Sequence, residues 1–192
     1  METKKGTLVA ISGPSGVGKN TVIRELLTRF SGAAQLITTT TRKKRIGEED
    51  GVDYYYITEE QFKKKNAAGD FVESNEYAGN FYGIQWEHLH NALENHALVL
   101  CQTDPTGKAN FDTQKIPHIA VFLLPENIDV LRKRIIDRGG VSKEAMEQRL
   151  SIAQKEMDVA KTYDVAVVNK EGKIEETVEK IEEYLKNTIT AV

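Results

Sequence analysis

The sequence predicts an α/β fold, a doubly wound parallel sheet that carries one inserted α+β lobe and one helical excursion. Three observations lead there. Leu8 to Phe30 reads as an apolar run, a glycine-rich turn with a lysine, and an amphipathic segment. Beyond it, short apolar runs of strand length alternate with segments of helical period, the pattern of strand–helix–strand units. Two polar stretches, 39–84 and 126–160, are too long for connections and too patterned for disorder.

Val9, Ala10 and Ile11 form the continuous apolar run of a strand buried on both faces. After the glycines, Val22, Ile23, Leu26, Leu27 and Phe30 recur at helical spacing and give that helix one apolar stripe. Ser31-Gly32 ends it, and Gln35 to Thr39 is expected as a second strand. A tyrosine-rich strand follows near residues 54–57, and Thr58 with Gln61 is a capping-box signal for a helix over 59–67, closed by Gly69. Phe71 to Gly83 reads as two strands about the Ala78-Gly79-Asn80 turn. Trp86, Leu89 and Leu93 mark a helix ending near Asn95, and Ala97 to Gln102 is a buried strand holding the single cysteine, Cys101. Ile119 to Leu124 is a third central strand, stopped by Pro125. Ile128, Leu131 and Ile135 stripe a basic helix broken at Gly139-Gly140. Ser142 then caps a helix whose apolar face is Met146, Leu150, Ala153, Met157 and Ala160. Tyr163 to Val168 is the last strand, and Ile174, Val178, Ile181 and Leu185 define a final helix.

Gly13, Gly18 and Lys19 fit the first seven positions of G-x-x-x-x-G-K-[ST], between the strand and helix this motif requires. Glycines let successive backbone N–H groups point at an oligophosphate, the helix N-terminus adds favourable potential, and Lys19 brings a mobile charge to the β and γ oxygens. The stretch is therefore a P-loop, and a triphosphate is its expected ligand. Asn20 stands where the motif has a hydroxyl for Mg²⁺, and Thr21, one position on, points elsewhere. The fold class becomes an α/β doubly wound parallel sheet with a P-loop, an inserted lobe over 39–84 and a helical lid over 126–160. One domain over 1–192 is expected, with 1–38, 85–125 and 161–192 as its core.

The 192 residues hold 26 basic and 29 acidic side chains, and the net charge of −3 offers no global attraction to nucleic acid. A lone cysteine has no disulfide partner, the first six residues are too short and polar for a signal sequence, and no apolar stretch approaches membrane-spanning length. A cytoplasmic protein with no membrane and no nucleic-acid partner is expected. Arg42 and Arg45 lie beside a run of threonines. Alone, they read as a solvated basic turn or a nucleic-acid patch. Beside a P-loop they suit a second anion, because bringing two phosphates together needs positive groups on both. Tyr54 and Tyr82 would add phenol donors, while Tyr55 and Tyr56 read as strand packing.

GPSGVGK at 13–19, TTRKKR at 40–45, DGVDY at 50–54, FVE at 71–73, GNFYG at 79–83, DPTG at 104–107 and the series Arg134, Arg138, Arg149 together resemble guanylate kinase in order and spacing. The resemblance implies ATP-dependent phosphorylation of GMP, and of dGMP, to the diphosphate with Mg²⁺, by a monomer or homodimer. It puts ATP on Gly13, Pro14, Ser15, Gly16, Val17, Gly18, Lys19, Asn20 and Thr21, with Asn20 nearest the metal, Arg134 on the phosphates and Asn169 near the adenine. It puts the GMP phosphate on Arg42, Arg45, Tyr54 and Tyr82, and the guanine on Thr38, Glu73 and Asp104. Lys19, Arg42, Arg138 and Arg149 would be the catalytic charges. A carboxylate at Glu73 can accept from guanine N1–H and N2–H₂, whereas adenine has no donor at N1. On the residues alone, Glu73 beside Ser74 and Asn75 reads as an ordinary surface carboxylate.

Four positions depart from the resemblance. Asn20 replaces a hydroxyl, Gln102 replaces an aspartate two residues before Asp104, Ile84 replaces a hydroxyl near the base, and Lys43-Lys44 replace a stretch that often holds proline. Two rival functions accompany the kinase: a guanylate-kinase-like protein-binding module, and a kinase for another phosphorylated acceptor such as a ribose phosphate.

Overall fold

The structure, a computed structural model, describes residues 6–77, 79–137 and 143–190. Five parallel strands, β1 (Thr7–Ser12), β2 (Ala33–Leu36), β7 (Leu98–Gln102), β8 (Ile119–Leu124) and β9 (Val165–Val168), stand in the order β2-β7-β1-β8-β9. Four shorter-range strands, β3 (Thr39–Thr40), β4 (Tyr55–Tyr56), β5 (Phe71–Tyr77) and β6 (Asn80–Gln85), form a second, mostly antiparallel sheet ordered β4-β3-β6-β5. The helices are α1 (Lys19–Arg29), α2 (Glu59–Ala67), α3 (Trp86–Asn95), α4 (Pro105–Thr113), α5 (Ile128–Asp137), α6 (Lys143–Asp158) and α7 (Ile174–Thr190). The parallel sheet with helical crossovers is the α/β architecture its apolar runs predict.

The chain divides into two compact units. One holds the segment ending at Leu8, Gly32–Cys101 and Thr106–His118. Within it β2 and β7 pair in parallel, Ala33 opposite Leu98 through Leu36 opposite Cys101. Its second sheet is anchored by the β5–β6 hairpin, whose register shifts between Phe71 and Glu73. Phe62 of α2 stacks on Phe71 and Phe81, at centroid distances of 4.4 and 5.4 Å, and so seats α2 on that hairpin. The capping box forms: the Gln61 N–H donates to Thr58 Oγ1 at 3.2 Å and the Thr58 N–H to Gln61 Oε1 at 2.8 Å.

The other unit holds Val9–Ser31, Gln102–Pro105 and the chain from Ile119 onward. β8 pairs with β1 on one side and β9 on the other, all in parallel. Val9 to Ser12 and Ala120 to Leu123 are buried without alternation, the mark of strands covered on both faces. Val22, Ile23 and Leu26 of α1 and Val178, Ile181 and Leu185 of α7 are the buried stripes of their helices. Arg29 of α1 ties the two together through Glu175 and, at 3.2 Å, Glu182.

Three local expectations change. The strand expected over Gln35–Thr39 splits into β2 and β3, which join different sheets, so Ile37 and Thr38 form the crossing. Residues 105–113, to which the sequence pattern assigns no element, form α4. Pro105 occupies its first position, where a missing N–H costs nothing, and Phe111 is fully buried. The helix expected to reach Ala160 ends at Asp158, and Ala160–Thr162 make a 3₁₀ turn. Ala78 of the hairpin turn, Gly139-Gly140 and the Ser142 cap lie outside the described residues.

Candidate functional site

The P-loop joins β1 to α1. Gly13, Gly16 and Gly18 all take positive φ, +141°, +91° and +105°. At Gly13 a Cβ would lie 2.4 Å from the Leu123 carbonyl oxygen, and at Gly18 one would lie 2.6 Å from Asn169 Nδ2. These two positions therefore require glycine on both conformation and space. Lys19 Nζ curls back to donate to the carbonyls of Gly13 at 2.5 Å and Pro14 at 3.2 Å, which holds the ammonium across the loop. The loop's far end is tied from outside. The Val17 carbonyl accepts from Asn169 Nδ2 at 2.8 Å and from Arg134 Nη1 of α5 at 3.1 Å, and Thr177 donates its hydroxyl to Asn169 Oδ1 at 3.1 Å. Asn169 is buried among these contacts.

Glu156, near the end of α6, interacts electrostatically with Lys19 and Asp104. Burial pushes its carboxyl up to about 7, the Lys19 charge pulls it down, and Asp104 pushes it up. Glu156 therefore lies within electrostatic reach of the P-loop lysine. Arg149 lies seven residues earlier, two turns along the same face, and is half-buried. Arg138 lies outside the described residues.

In the other unit, a second cluster of charged and aromatic side chains gathers around the loop between β3 and β4. Arg42 Nη2 donates to both Glu48 oxygens, at 2.7 and 3.0 Å, and Nη1 to the Lys43 carbonyl at 2.8 Å. Its guanidinium lies 5.3 Å from the Tyr54 ring centroid and 5.9 Å from that of Tyr56. The Tyr54 and Tyr82 rings meet edge to face at 6.2 Å. Glu48 Oε2 also accepts from the Arg45 N–H at 2.8 Å and the Tyr56 hydroxyl at 2.7 Å. Burial alone would raise the Glu48 carboxyl. The donated hydrogen bonds and the Arg42 charge overcome it and hold the group at about 2. Burial likewise opposes the Arg42 charge, and Glu48 reverses it, so the guanidinium stays above its ordinary range. Burial followed by the Glu48 contact raises the Tyr56 phenol.

Other sequence-predicted residues sit as follows. Thr38 is half-buried and its carbonyl accepts from the Tyr55 N–H at 2.9 Å. Glu73, on β5 opposite Ile84, is only 8 % exposed, and Ile84 is fully buried. The Arg45 side chain is exposed. Thr38, Arg42, Arg45, Tyr54, Glu73 and Tyr82 thus belong to one unit, and the P-loop, Asp104, Arg134, Arg149 and Asn169 to the other. Sequence reasoning missed Glu48, Tyr56, Glu156 and Thr177. Glu48 had a weak signal, three residues after Arg45 and six after Arg42, hidden in the acidic run Glu48-Glu49-Asp50.

Asn20 is exposed on the first turn of α1, beside the lysine that spans the P-loop, and Gln102 is half-buried at the end of β7. No group of three or more His, Cys, Asp or Glu side chains gathers among the described residues. Mg²⁺ keeps water and phosphate ligands and needs only one or two from protein. A single amide donor such as Asn20 fits an ion that arrives on a nucleotide.

A Lys-bearing P-loop after β1, the middle strand of the parallel sheet, with the basic helix α5 after the neighbouring strand β8, defines a nucleotide-binding protein of the P-loop α/β class. The guanylate kinase model matches residues 5–188. The chain is 38 % identical to the guanylate kinase of Symbiobacterium thermophilum over 165 residues, 86 % of this chain and 78 % of that one. It is 36 % identical to that of Prochlorococcus marinus subsp. pastoris over 180 residues, covering 94 % and 97 % of the two chains. The crystal structure of guanylate kinase from Anaplasma phagocytophilum superposes with a TM-score of 0.77 at 28 % identity, over 98 % of this chain and 88 % of that one. Shikimate kinase from Bacteroides thetaiotaomicron shares the fold, with a TM-score of 0.58 at 17 % identity over 94 % and 98 %. The chain belongs to the guanylate kinase family.

Proposed function

We propose that this chain transfers the γ-phosphoryl group of ATP to GMP, forming ADP and GDP by direct in-line displacement. The observation that supports the reading is that one chain carries two clusters of different design, a P-loop with Lys19 across it and the Arg42–Tyr54–Tyr82 cluster, the second in a unit that also buries a carboxylate, Glu73. Two phosphate sites on one chain suit a transfer between nucleotides.

Backbone amides of Gly13 to Gly18 would cradle the ATP phosphates and Lys19 would move from the loop carbonyls to the β and γ oxygens. Mg²⁺, held by the Asn20 amide oxygen together with the phosphates, would supply charge neutralisation on the β and γ groups. Arg42, Arg45, Tyr54 and Tyr82 would hold the acceptor phosphate, and Thr38, Glu73 and Asp104 would read the guanine. The acceptor phosphate oxygen is already a nucleophile, so orientation replaces a general base. Arg134, Arg138 and Arg149 would meet the charge that develops on the transferring group. dGMP offers the same phosphate and base and is expected as a second acceptor.

The test is ADP formation from ATP and Mg²⁺ with GMP, AMP, UMP, CMP and ribose phosphates as separate acceptors. GMP-selective turnover supports the reading. Turnover only with a ribose phosphate overturns the acceptor, and folded protein with no turnover points to a binding module.

A further inference from the structure

The acceptor cluster is organised by a residue outside the sequence-predicted set. Glu48 receives both contacts of Arg42 Nη2, the backbone N–H of Arg45 and the hydroxyl of Tyr56. One carboxylate thus fixes the direction of one phosphate-site arginine, the backbone at the other, and a strand residue of β4. Other ties shape the acidic part of this loop, among them Glu49 N–H to Asp53 Oδ2 at 2.8 Å, Gly51 N–H to the Tyr54 carbonyl at 2.9 Å and Tyr56 N–H to Asp50 Oδ1 at 2.9 Å, but these do not reach the Arg42 guanidinium, which Glu48 and the Lys43 carbonyl hold. Arg42 and Glu48 are 13 % and 17 % exposed in their side chains, so their pairing is shielded from solvent competition.

We propose that Glu48 is the positioning residue of the acceptor site, holding Arg42 and the Arg45 backbone in the arrangement that a nucleoside monophosphate's phosphate meets. The inference rests on the kinase reading above. An arginine carries five N–H donors and large rotamer freedom. In this arrangement the Nε–H makes none of the hydrogen bonds to Glu48 or Lys43, so a phosphate can engage it while Glu48 stays in place. Ordering the guanidinium beforehand removes part of the entropy cost of binding. The pairing also neutralises Arg42, so the exposed Arg45 side chain provides the long-range attraction and Arg42 the geometry.

The experiment compares wild type, Glu48→Gln and Glu48→Ala in steady-state assays with GMP and ATP varied independently, beside thermal melts. The isosteric Gln keeps the volume if Ala unfolds the loop. The expected result is a GMP KM raised about 10-fold in E48Q and about 100-fold in E48A, with the ATP KM within about twofold of wild type. Absorbance titration of the tyrosines should also show one phenol returning toward ordinary acidity in E48Q. An unchanged GMP KM in folded E48Q overturns the inference and leaves the kinase reading intact. A lowered GMP KM overturns it in favour of Glu48 as an anion that competes with the phosphate. A wild-type chain that does not phosphorylate GMP overturns the kinase reading, and this inference with it.

Discussion

The two proposed anion sites are built by opposite means. The P-loop is made of main chain: glycines at positive φ, carbonyls that hold Lys19, and a Val17 carbonyl tied by Asn169 and Arg134. The proposed acceptor cluster is made of side chains, with Arg42, Glu48, Tyr54 and Tyr56 holding one another. A main-chain cradle depends on which residues permit a conformation, and few do. A side-chain network depends on charge and reach, and many sequences could build one. The first is therefore exacting in spacing and the second exacting in protonation.

The comparison breaks most sharply at its central charges. Lys19→Ala should lower kcat by about 10²- to 10³-fold, because the ammonium acts on charge that develops in transfer. Arg42→Lys should instead raise the GMP KM by about 10-fold with kcat less affected, since a point charge loses the contacts to Glu48 that a planar fork makes. Initial-rate kinetics with both substrates varied separates the two. Equal effects on the same parameter would erase the contrast between the two clusters.

Proton linkage sharpens it next, because the two units carry carboxyls shifted in opposite senses. Glu48 is held at about 2, below its ordinary 4.5, so its stabilisation is present above pH 4.5 and lost as pH falls through 2. Glu156 is pushed up to about 7, so its contribution is full below pH 4.5 and lost as pH rises through 7. Melting curves from pH 4.5 to 8 should show Glu156→Gln with a flatter profile than wild type. A wild-type profile that E156Q leaves unchanged would remove Glu156 from this role.

The smallest expected effect lies at the metal. Asn20→Ser with Gln102→Asp replaces an amide by a hydroxyl beside Lys19 and adds a carboxylate two residues before Asp104. The pair should tighten the Mg²⁺ dependence of turnover by a few-fold, on the order of 1 kcal/mol. A magnesium titration at fixed ATP reads it, and no change would mean the ion's ligands come from phosphate and water alone.

The same contrast explains what the sequence made legible. G-x-x-x-x-G-K spacing marks the P-loop because only those residues allow its path, and Thr58 with Gln61 marks α2 because both partners lie within one turn. Alternating apolar runs mark the parallel sheet. Helix α4 escaped because Gly107 and polar neighbours weaken its pattern, although Pro105 after Asp104 is a start signal. The split of β2 from β3 escaped because Ala33 to Thr40 has no turn residue where the chain changes sheets. Glu48 and Glu156 escaped for a different reason. Their neighbours Glu49 and Asp50, or Lys155 and Asp158, are charged too, and only tertiary placement separates a charge that holds a site from one that meets water.

The tie from Asn169 to the Val17 carbonyl spans 152 residues. At ~5–20 residues per second, a ribosome makes Val17 roughly 8–30 s before Asn169 exists. Throughout that interval the nascent P-loop has its glycines and its lysine but not Asn169, and until Arg134 is made, 117 residues after Val17, it lacks both outside donors that close its far end. The loop encoded first is finished last, and a chain halted before Asn169 would display the motif without its closing tie.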